Sequence, residues 1–173
     1  MEEVVLVDET DKVVGTSEKL AAHKNGQLHR AFSVCIFNSK GEMLLQRRAL
    51  NKYHSGGLWT NACCSHPRPH EDTLDAAHRR LKEELSMEAN LTFLFSFLYK
   101  ADFENGLIEH ELDHVFVGTS DTNPELNPDE AIEYKYMTPT ELIEDIEKHS
   151  ENYTFWFKEI VNKVIDKYTK NVD

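Results

Sequence analysis

Hydrophobic positions open the chain in two short runs, EVVLVD (3–8) and VVGTSE (13–18). The polar stretch Asp8 to Asp11 between them predicts a strand pair closed by a turn. HRAFSVCIFN (29–38), dense in aromatic and β-branched residues, predicts a buried strand; NSKG turns the chain, and EMLLQRRA (42–49) returns as its hairpin partner. From Asp72 to Ser86 the period changes. Leu74, Ala77, Leu81 and Leu85 recur every three or four residues, one face of a helix, with Asp72 or Thr73 as its cap and Asp75 in its first turn. LTFLFSFLYKA (91–101) and GLIEHELDHVFVGT (106–119) predict two long strands joined through Asn105-Gly106, and AIEYKYMT (131–138) a further strand. Pro139 opens a helix running to about Lys148. TFWFKEIVNKVIDKY (154–168) predicts a C-terminal helix with the apolar stripe Phe157, Ile160, Val161, Val164 and Ile165. Flexible connections are expected around Lys24-Asn25-Gly26, at KYHSGG (52–57) and at SDTNPELNPDE (120–130). Strands, one helix, strands, then helices predict an α/β (α+β) fold: one domain over residues 1–173, a mixed sheet sandwiched between helices.

Composition narrows the partners. No apolar run approaches a membrane span, and the acidic start MEEVVLVDET lacks the basic and apolar regions of a signal peptide. The net charge of −12 argues against nucleic acid and leaves no membrane partner in view, so an anionic ligand needs a local basic cluster or a metal to overcome the protein's own field. The three cysteines, Cys35, Cys63 and Cys64, are odd in number and include a vicinal pair. That is no disulfide framework, and it predicts a reducing, cytoplasmic compartment. Nine histidines favour metal or proton chemistry.

The stretch WTNACCSHPRP (59–69) concentrates that chemistry. Adjacent cysteines are poorly placed to share one tetrahedral ion, and no second pair follows, so a zinc knuckle is disfavoured. In an extended segment Cys63 and Cys64 point opposite ways, and Cys63 reads as a small buried apolar residue. On the helix, Arg79–Glu83 and Arg80–Glu84 are each four apart, the spacing of a solvated ion-pair face.

The context changes that reading. Ser65, Glu71, Arg79, Leu81, Glu83 and Glu84 stand at the spacing of the Nudix box, and the segment resembles it with three departures: Ser65 and Ser86 replace glycines, and Arg80 replaces a glutamate. Losing a carboxylate there implies fewer metal ions, a weakened hydrolytic half, and an arginine free for phosphate. Together with LHRAFSV, WTNACCSHP and EHELDHVF in this order, the chain resembles the type I isopentenyl-diphosphate isomerases, a non-hydrolytic branch of the Nudix fold, from about Val5 to Trp156.

The resemblance implies interconversion of isopentenyl and dimethylallyl diphosphate through a carbocation-like intermediate, in a pocket that excludes water. It implies Cys64 and Glu111 as proton-transfer groups, with Tyr99 hydrogen-bonded beside the acid. It implies His23, His29, His66, Glu109 and Glu111 as ligands of one Zn²⁺ or Mn²⁺, a nitrogen and oxygen mix suited to such ions. Lys19, Arg48, Lys52 and Ser65 would meet the diphosphate, with Arg80 a further contact and Glu84 holding Mg²⁺ against it. Trp156 would lie over the hydrocarbon, where cation–π attraction steadies positive charge. Competing readings stand beside these: a core tyrosine, a core-closing tryptophan, surface cations, and an acidic strand edge at Glu109, Glu111 and Asp113. His54, His70, His78, His110, His114 and His149 match no motif and are expected to be structural or at the surface. Two rival functions remain, a Nudix hydrolase of a small diphosphate compound and a noncatalytic Nudix-like binding module.

Overall fold

The computed structural model describes residues 2–171; residues 1, 172 and 173 of the expected domain lie outside the described residues. A nine-stranded mixed sheet is built around one strand, β3 (His29–Phe37). β1 (Glu3–Val7) and β2 (Val13–Glu18) form the expected antiparallel pair at one end of it, and Asp11 takes a left-handed φ of 67° in the turn.

The expected hairpin between β3 and β4 (Met43–Arg48) is corrected. The two strands meet at the single pair Phe37↔Met43. β3 instead runs parallel to β8 (Ile108–Thr119) from His29↔Glu111 to Phe37↔Thr119, and β4 pairs with β9 (Ala131–Met137). The reason is apolar content: Phe32, Val34 and Ile36 fill one face of β3 and Cys35 and Phe37 the other, so the strand is stable only where both faces are covered. β7 (Thr92–Asp102) closes on β8 as the long antiparallel pair expected through Asn105-Gly106.

The vicinal-cysteine stretch supplies two short strands, β5 (Trp59–Thr60) beside β4 and β6 (Cys63–Ser65) beside β3. α2 (Thr73–Leu85) covers the Phe32 face with Ala76, Ala77, Leu81 and Leu85; Leu74, expected on that stripe, is partly exposed. Asp72 caps it by accepting from the backbone N–H of Leu74 and Asp75. α3 (Pro139–Lys148) and α4 (Phe155–Asn171) cover the opposite face through Leu142, Trp156, Phe157, Ile160, Val161 and Val164. Each large apolar side chain so buried contributes roughly 1.5–3 kcal/mol. Among the described residues no helix is long and apolar enough to cross a membrane.

One helix was not legible in the sequence. α1 (Lys19–Asn25) runs into the stretch around Lys24-Asn25-Gly26 expected to be flexible. Glu18 caps it by accepting from Leu20 and Ala21 N–H, and Gly26, at φ 66°, ends it; a Cβ there would press on Ile108 at 3.2 Å. Seven residues make too short a periodic signal, but the helix matters because it places His23 and Lys19.

Candidate functional site

The site is assembled on β3. His29 and Ser33, four residues apart, project from the same face. Glu111 is the register partner of His29 across β8, and Cys64 that of Ser33 across β6. Cys63, paired with Val34, points into the α2 layer, where its thiol lies 3.3 Å from Glu84 Oε2. Pleat alternation thus sends the two cysteines to opposite sides of the sheet.

Asn61 locks the approach to Cys64. Its Nδ2 donates to the carbonyls of Val34 (2.9 Å) and Cys63 (3.0 Å), which leaves Oδ1 to accept from the Cys64 thiol at 3.0 Å. The Trp156 indole N–H donates to Cys64 Sγ at 2.9 Å, and Ser33 Oγ lies 3.5 Å from it. Ser33 in turn donates to Asp113 Oδ2 at 2.7 Å. Asp113 is therefore no acidic edge facing solvent: it is 1% exposed, and burial with the charge of Glu111 nearby pushes its carboxyl well above the usual range. Burial, and secondarily the Asp113 charge, pushes the Cys64 thiol up to about 12. Cys64 therefore keeps its proton at neutral pH and is not a thiolate.

Four residues along β3, imidazoles and carboxylates gather. Glu111 Oε2 lies 3.0 Å from His29 Nε2 and 2.6 Å from His66 Nε2, and the Tyr99 hydroxyl, with one proton to donate, bridges the carboxylates of Glu109 and Glu111. The acidic-edge reading of this strand face is thereby removed: Glu109 and Glu111 are buried, and Tyr99 spans them. Burial alone would raise the Glu111 carboxyl, but His66 and His29 outweigh it and hold the group well below the ordinary range. Burial, against the opposing pull of Glu111, pushes His66 down to about 4, so a neutral ring acts on Glu111 through the Nε2–H it donates.

The donor atoms fall into two overlapping sets, each within 4.8 Å of one another: His23, His29, His66 and Glu111, and His23, His54 and Glu109. Four of the five ligands implied by the resemblance therefore share one set, while Glu109 sits in the second. That second set contains a residue the sequence reading placed among structural or surface histidines. His54 is 6% exposed, and its Nε2 is 2.7 Å from Glu109 Oε2. It sits in the stretch KYHSGG, whose lack of periodicity hid it; its one signal was lying two residues after Lys52. Three or four imidazoles with carboxylates suit a first-row transition ion better than Ca²⁺.

Cations surround the same hollow. Lys19, Arg48, Lys52 and Arg80 line a cavity of about 50 Å³ together with Cys64, Ser65, Glu111 and Trp156. Each cation is currently held by the protein: Lys19 by Glu2 (3.4 Å), Lys52 by Glu130, and Arg80 by Glu84 (3.2 Å) and Glu130 (3.1 Å). Arg48 stacks over the Trp156 ring at 5.1 Å. The space admits only a few waters, so a larger occupant must part these ion pairs.

Glu84, expected to hold Mg²⁺, does not line this cavity. It is buried, and Gln46, Cys63 and Arg80 take its oxygens, because a buried carboxylate must be paired. Glu71 and Arg79 form a two-pronged pair, at 2.8 and 2.9 Å, that ties the loop before α2 to the helix. His110 Nδ1 donates to the Gly26 carbonyl, and His114 Nε2 lies 3.1 Å from Asp11 Oδ2 without a hydrogen bond; neither belongs to either donor set.

Comparison with known proteins gives a consistent result. A NUDIX domain model matches residues 27–157. A protein of Aromatoleum aromaticum named isopentenyl-diphosphate Delta-isomerase 2 is 53% identical over 164 residues, 95% of this chain and 87% of that protein. An isopentenyl-diphosphate Delta-isomerase of Pectobacterium atrosepticum is 53% identical over 156 residues, 90% of this chain and 87% of its own. Among solved structures, a Deinococcus radiodurans protein superposes with a TM-score of 0.79 at 24% identity, covering 94% of this chain and 98% of that one. A Methanosarcina mazei MutT protein gives 0.67 at 21% identity, over 83% and 96%. At those identities the structural likeness speaks for the fold alone.

Proposed function

The chain belongs to the Nudix family and, within it, to the isopentenyl-diphosphate isomerases, and on that premise we propose how its residues divide the reaction. The enzyme interconverts isopentenyl and dimethylallyl diphosphate, moving a double bond by adding a proton to one carbon and removing one from another. Cys64 and Glu111 exchange those protons. The observation that carries this reading is that both line one cavity with a tryptophan and four cations.

The two groups are prepared differently. The thiol is held protonated by burial, with Asn61 and Trp156 fixing its orientation. The carboxylate is held ionised by His29 and His66, with Tyr99 donating to its other oxygen. An acid and a base whose environments drive their pKa values apart form a working pair for proton transfer. Either can serve each direction of a reversible reaction. Trp156, whose N–H is committed to Cys64, offers its face to the positive charge of the intermediate.

His23, His29, His66 and Glu111, with Glu109 alongside, would hold a divalent transition ion, Zn²⁺ or Mn²⁺. Such an ion supplies positive charge that organises the carboxylates and lowers their proton affinity. Diphosphate is met by Lys19, Arg48, Lys52, Ser65 and Arg80. An Arg80 turned toward diphosphate would free the Glu84 carboxylate, the residue that would hold a substrate-borne Mg²⁺. The unpaired Cys35, Cys63 and Cys64 support a reducing, cytoplasmic setting.

The test is incubation with isopentenyl diphosphate and Mg²⁺ in heavy water. Deuterium in the dimethylallyl product supports the proposal. Release of phosphate instead supports a hydrolase, and binding without turnover supports a noncatalytic module.

A further inference from the structure

We infer that His54 is a fourth imidazole ligand of the metal centre, a position that the resemblance leaves out. The inference rests on the metal reading above and extends it to a residue outside the family's ligand set.

Three observations carry it. The first is burial with an unpartnered atom. His54 is 6% exposed, yet its Nε2 makes no hydrogen bond, although Glu109 Oε2 is 2.7 Å away. A core histidine that only fills space normally satisfies both nitrogens. Here a buried nitrogen and a buried carboxylate oxygen stand side by side with no hydrogen-bond alignment, an arrangement that a shared cation relieves. Ligands adjacent on an ion at about 2.1 Å stand about 3 Å apart, close to the spacing seen.

The second is the anchoring of the ring. His23 Nδ1 donates to the Lys19 carbonyl at 2.7 Å and His29 Nδ1 to the Gln27 carbonyl at 2.8 Å, which turns each Nε2 toward the cluster. His54 repeats the pattern, with Nδ1 3.1 Å from Ser55 Oγ. Metal-binding imidazoles are oriented in this way, by a partner on the far nitrogen. The His54 ring is further fixed by stacking on Phe103, centroids 4.6 Å apart and planes 7° from parallel.

The third is position. The His54 and His23 ring centroids are 6.0 Å apart, and His54, His23 and Glu109 offer donors within 4.8 Å of one another. His23 belongs to both donor sets. With its Nδ1 committed to Lys19, it has one nitrogen to give and can serve one ion only. The donors of the two sets do not all lie within 4.8 Å of one another, so a single ion bound by His23 at the shared edge would need the side chains to draw in around it, whereas two ions would compete for His23.

The full-length protein, stripped of metal and reloaded with Zn²⁺ or Co²⁺, tests this. Wild type is expected to take one ion per chain and, as the Co²⁺ protein, to show four hyperfine-shifted imidazole N–H signals. His54→Phe keeps the stack on Phe103 but removes the nitrogen. It is expected to show three signals and a Zn²⁺ affinity weaker by roughly 10- to 100-fold or more, measured by competition with a chromophoric chelator. His54→Gln, which keeps a polar side chain, gives the same reading if His54→Phe does not fold. Three signals in wild type, or an unchanged count and affinity in either variant, overturns the assignment while leaving the metal centre standing. Two ions per chain, one of them lost with His54, overturns the shared centre. Wild type that takes up no transition ion overturns both this inference and the metal reading beneath it.

Discussion

Replacing Cys64 by alanine separates chemistry from packing in a way the structure lets one calculate. The thiol accepts the Trp156 indole N–H at 2.9 Å, and Trp156 is 3% exposed. Alanine leaves that donor buried without a partner, at about 1–3 kcal/mol. For a protein of this size each kcal/mol lowers Tm by about 2–4 °C, so Cys64→Ala should melt roughly 2–12 °C below wild type. Cys64→Ser restores an acceptor and should recover most of that loss. Turnover behaves differently. Losing a positioned acid or base costs about 10²- to 10⁴-fold, or about 2.7–5.5 kcal/mol of barrier, and a hydroxyl is too weak an acid to replace the thiol. Both variants should therefore be slow, whichever one melts lower. Cys63→Ala is the control: its thiol faces Glu84 in the other layer, so it should lose about 1 kcal/mol of stability and keep its rate. Deuterium incorporation from heavy water, followed by NMR, reads the rate, and circular dichroism reads the melt. A folded Cys64→Ala within tenfold of wild type, or a Cys63→Ala that falls equally far, would refute the assignment of the thiol.

Three further outcomes are expected. Because the Cys64 thiol is raised from 9.0 to about 12, its thiolate fraction at pH 8 is about a thousandth of that of an ordinary cysteine; alkylation by iodoacetamide should be correspondingly slow and still climbing tenfold per unit at pH 10, and a plateau near pH 8.5 would contradict the burial argument. Arg80→Ala strands the buried Glu84 and leaves Glu130 with Lys52 alone, so it should cost about 3–5 kcal/mol and roughly 6–20 °C in Tm; a change below 2 °C would show that Glu84 does not need the arginine. Gly56→Ala places a Cβ 2.6 Å from the Leu50 carbonyl oxygen, so the loop carrying Lys52 and His54 must move; thermal melting should show clear destabilisation, and an unchanged melt would mean the loop yields freely.

Much of this protein could be read from local pattern. The strand pair at residues 3–18, the helix capped by Asp72, the long β7–β8 pair and the amphipathic C-terminal helix each carry their own period, because side-chain alternation and helical repeat are local properties of the chain. The separation of Cys63 from Cys64 followed from the pleat alone. Short motifs, by resemblance, brought Cys64, Ser65, Glu111, Trp156 and the basic residues together, and all of these do line one cavity.

What the linear pattern left undetermined is pairing between distant segments. β3 keeps a single pair with its neighbour β4 and builds its long ladder in parallel with β8, about eighty residues on, where both its apolar faces are covered. That ladder decides much of the chemistry: it sets His29 against Glu111 and buries Asp113 behind Ser33, while the separate loop between β4 and β5 brings His54 to Glu109. Burial and charge pairing, which shift proton affinities and choose metal ligands, depend on what packs against a side chain from elsewhere in the chain. No window of sequence contains that neighbour, so composition and spacing could nominate the groups while the folded sheet alone assigned their states.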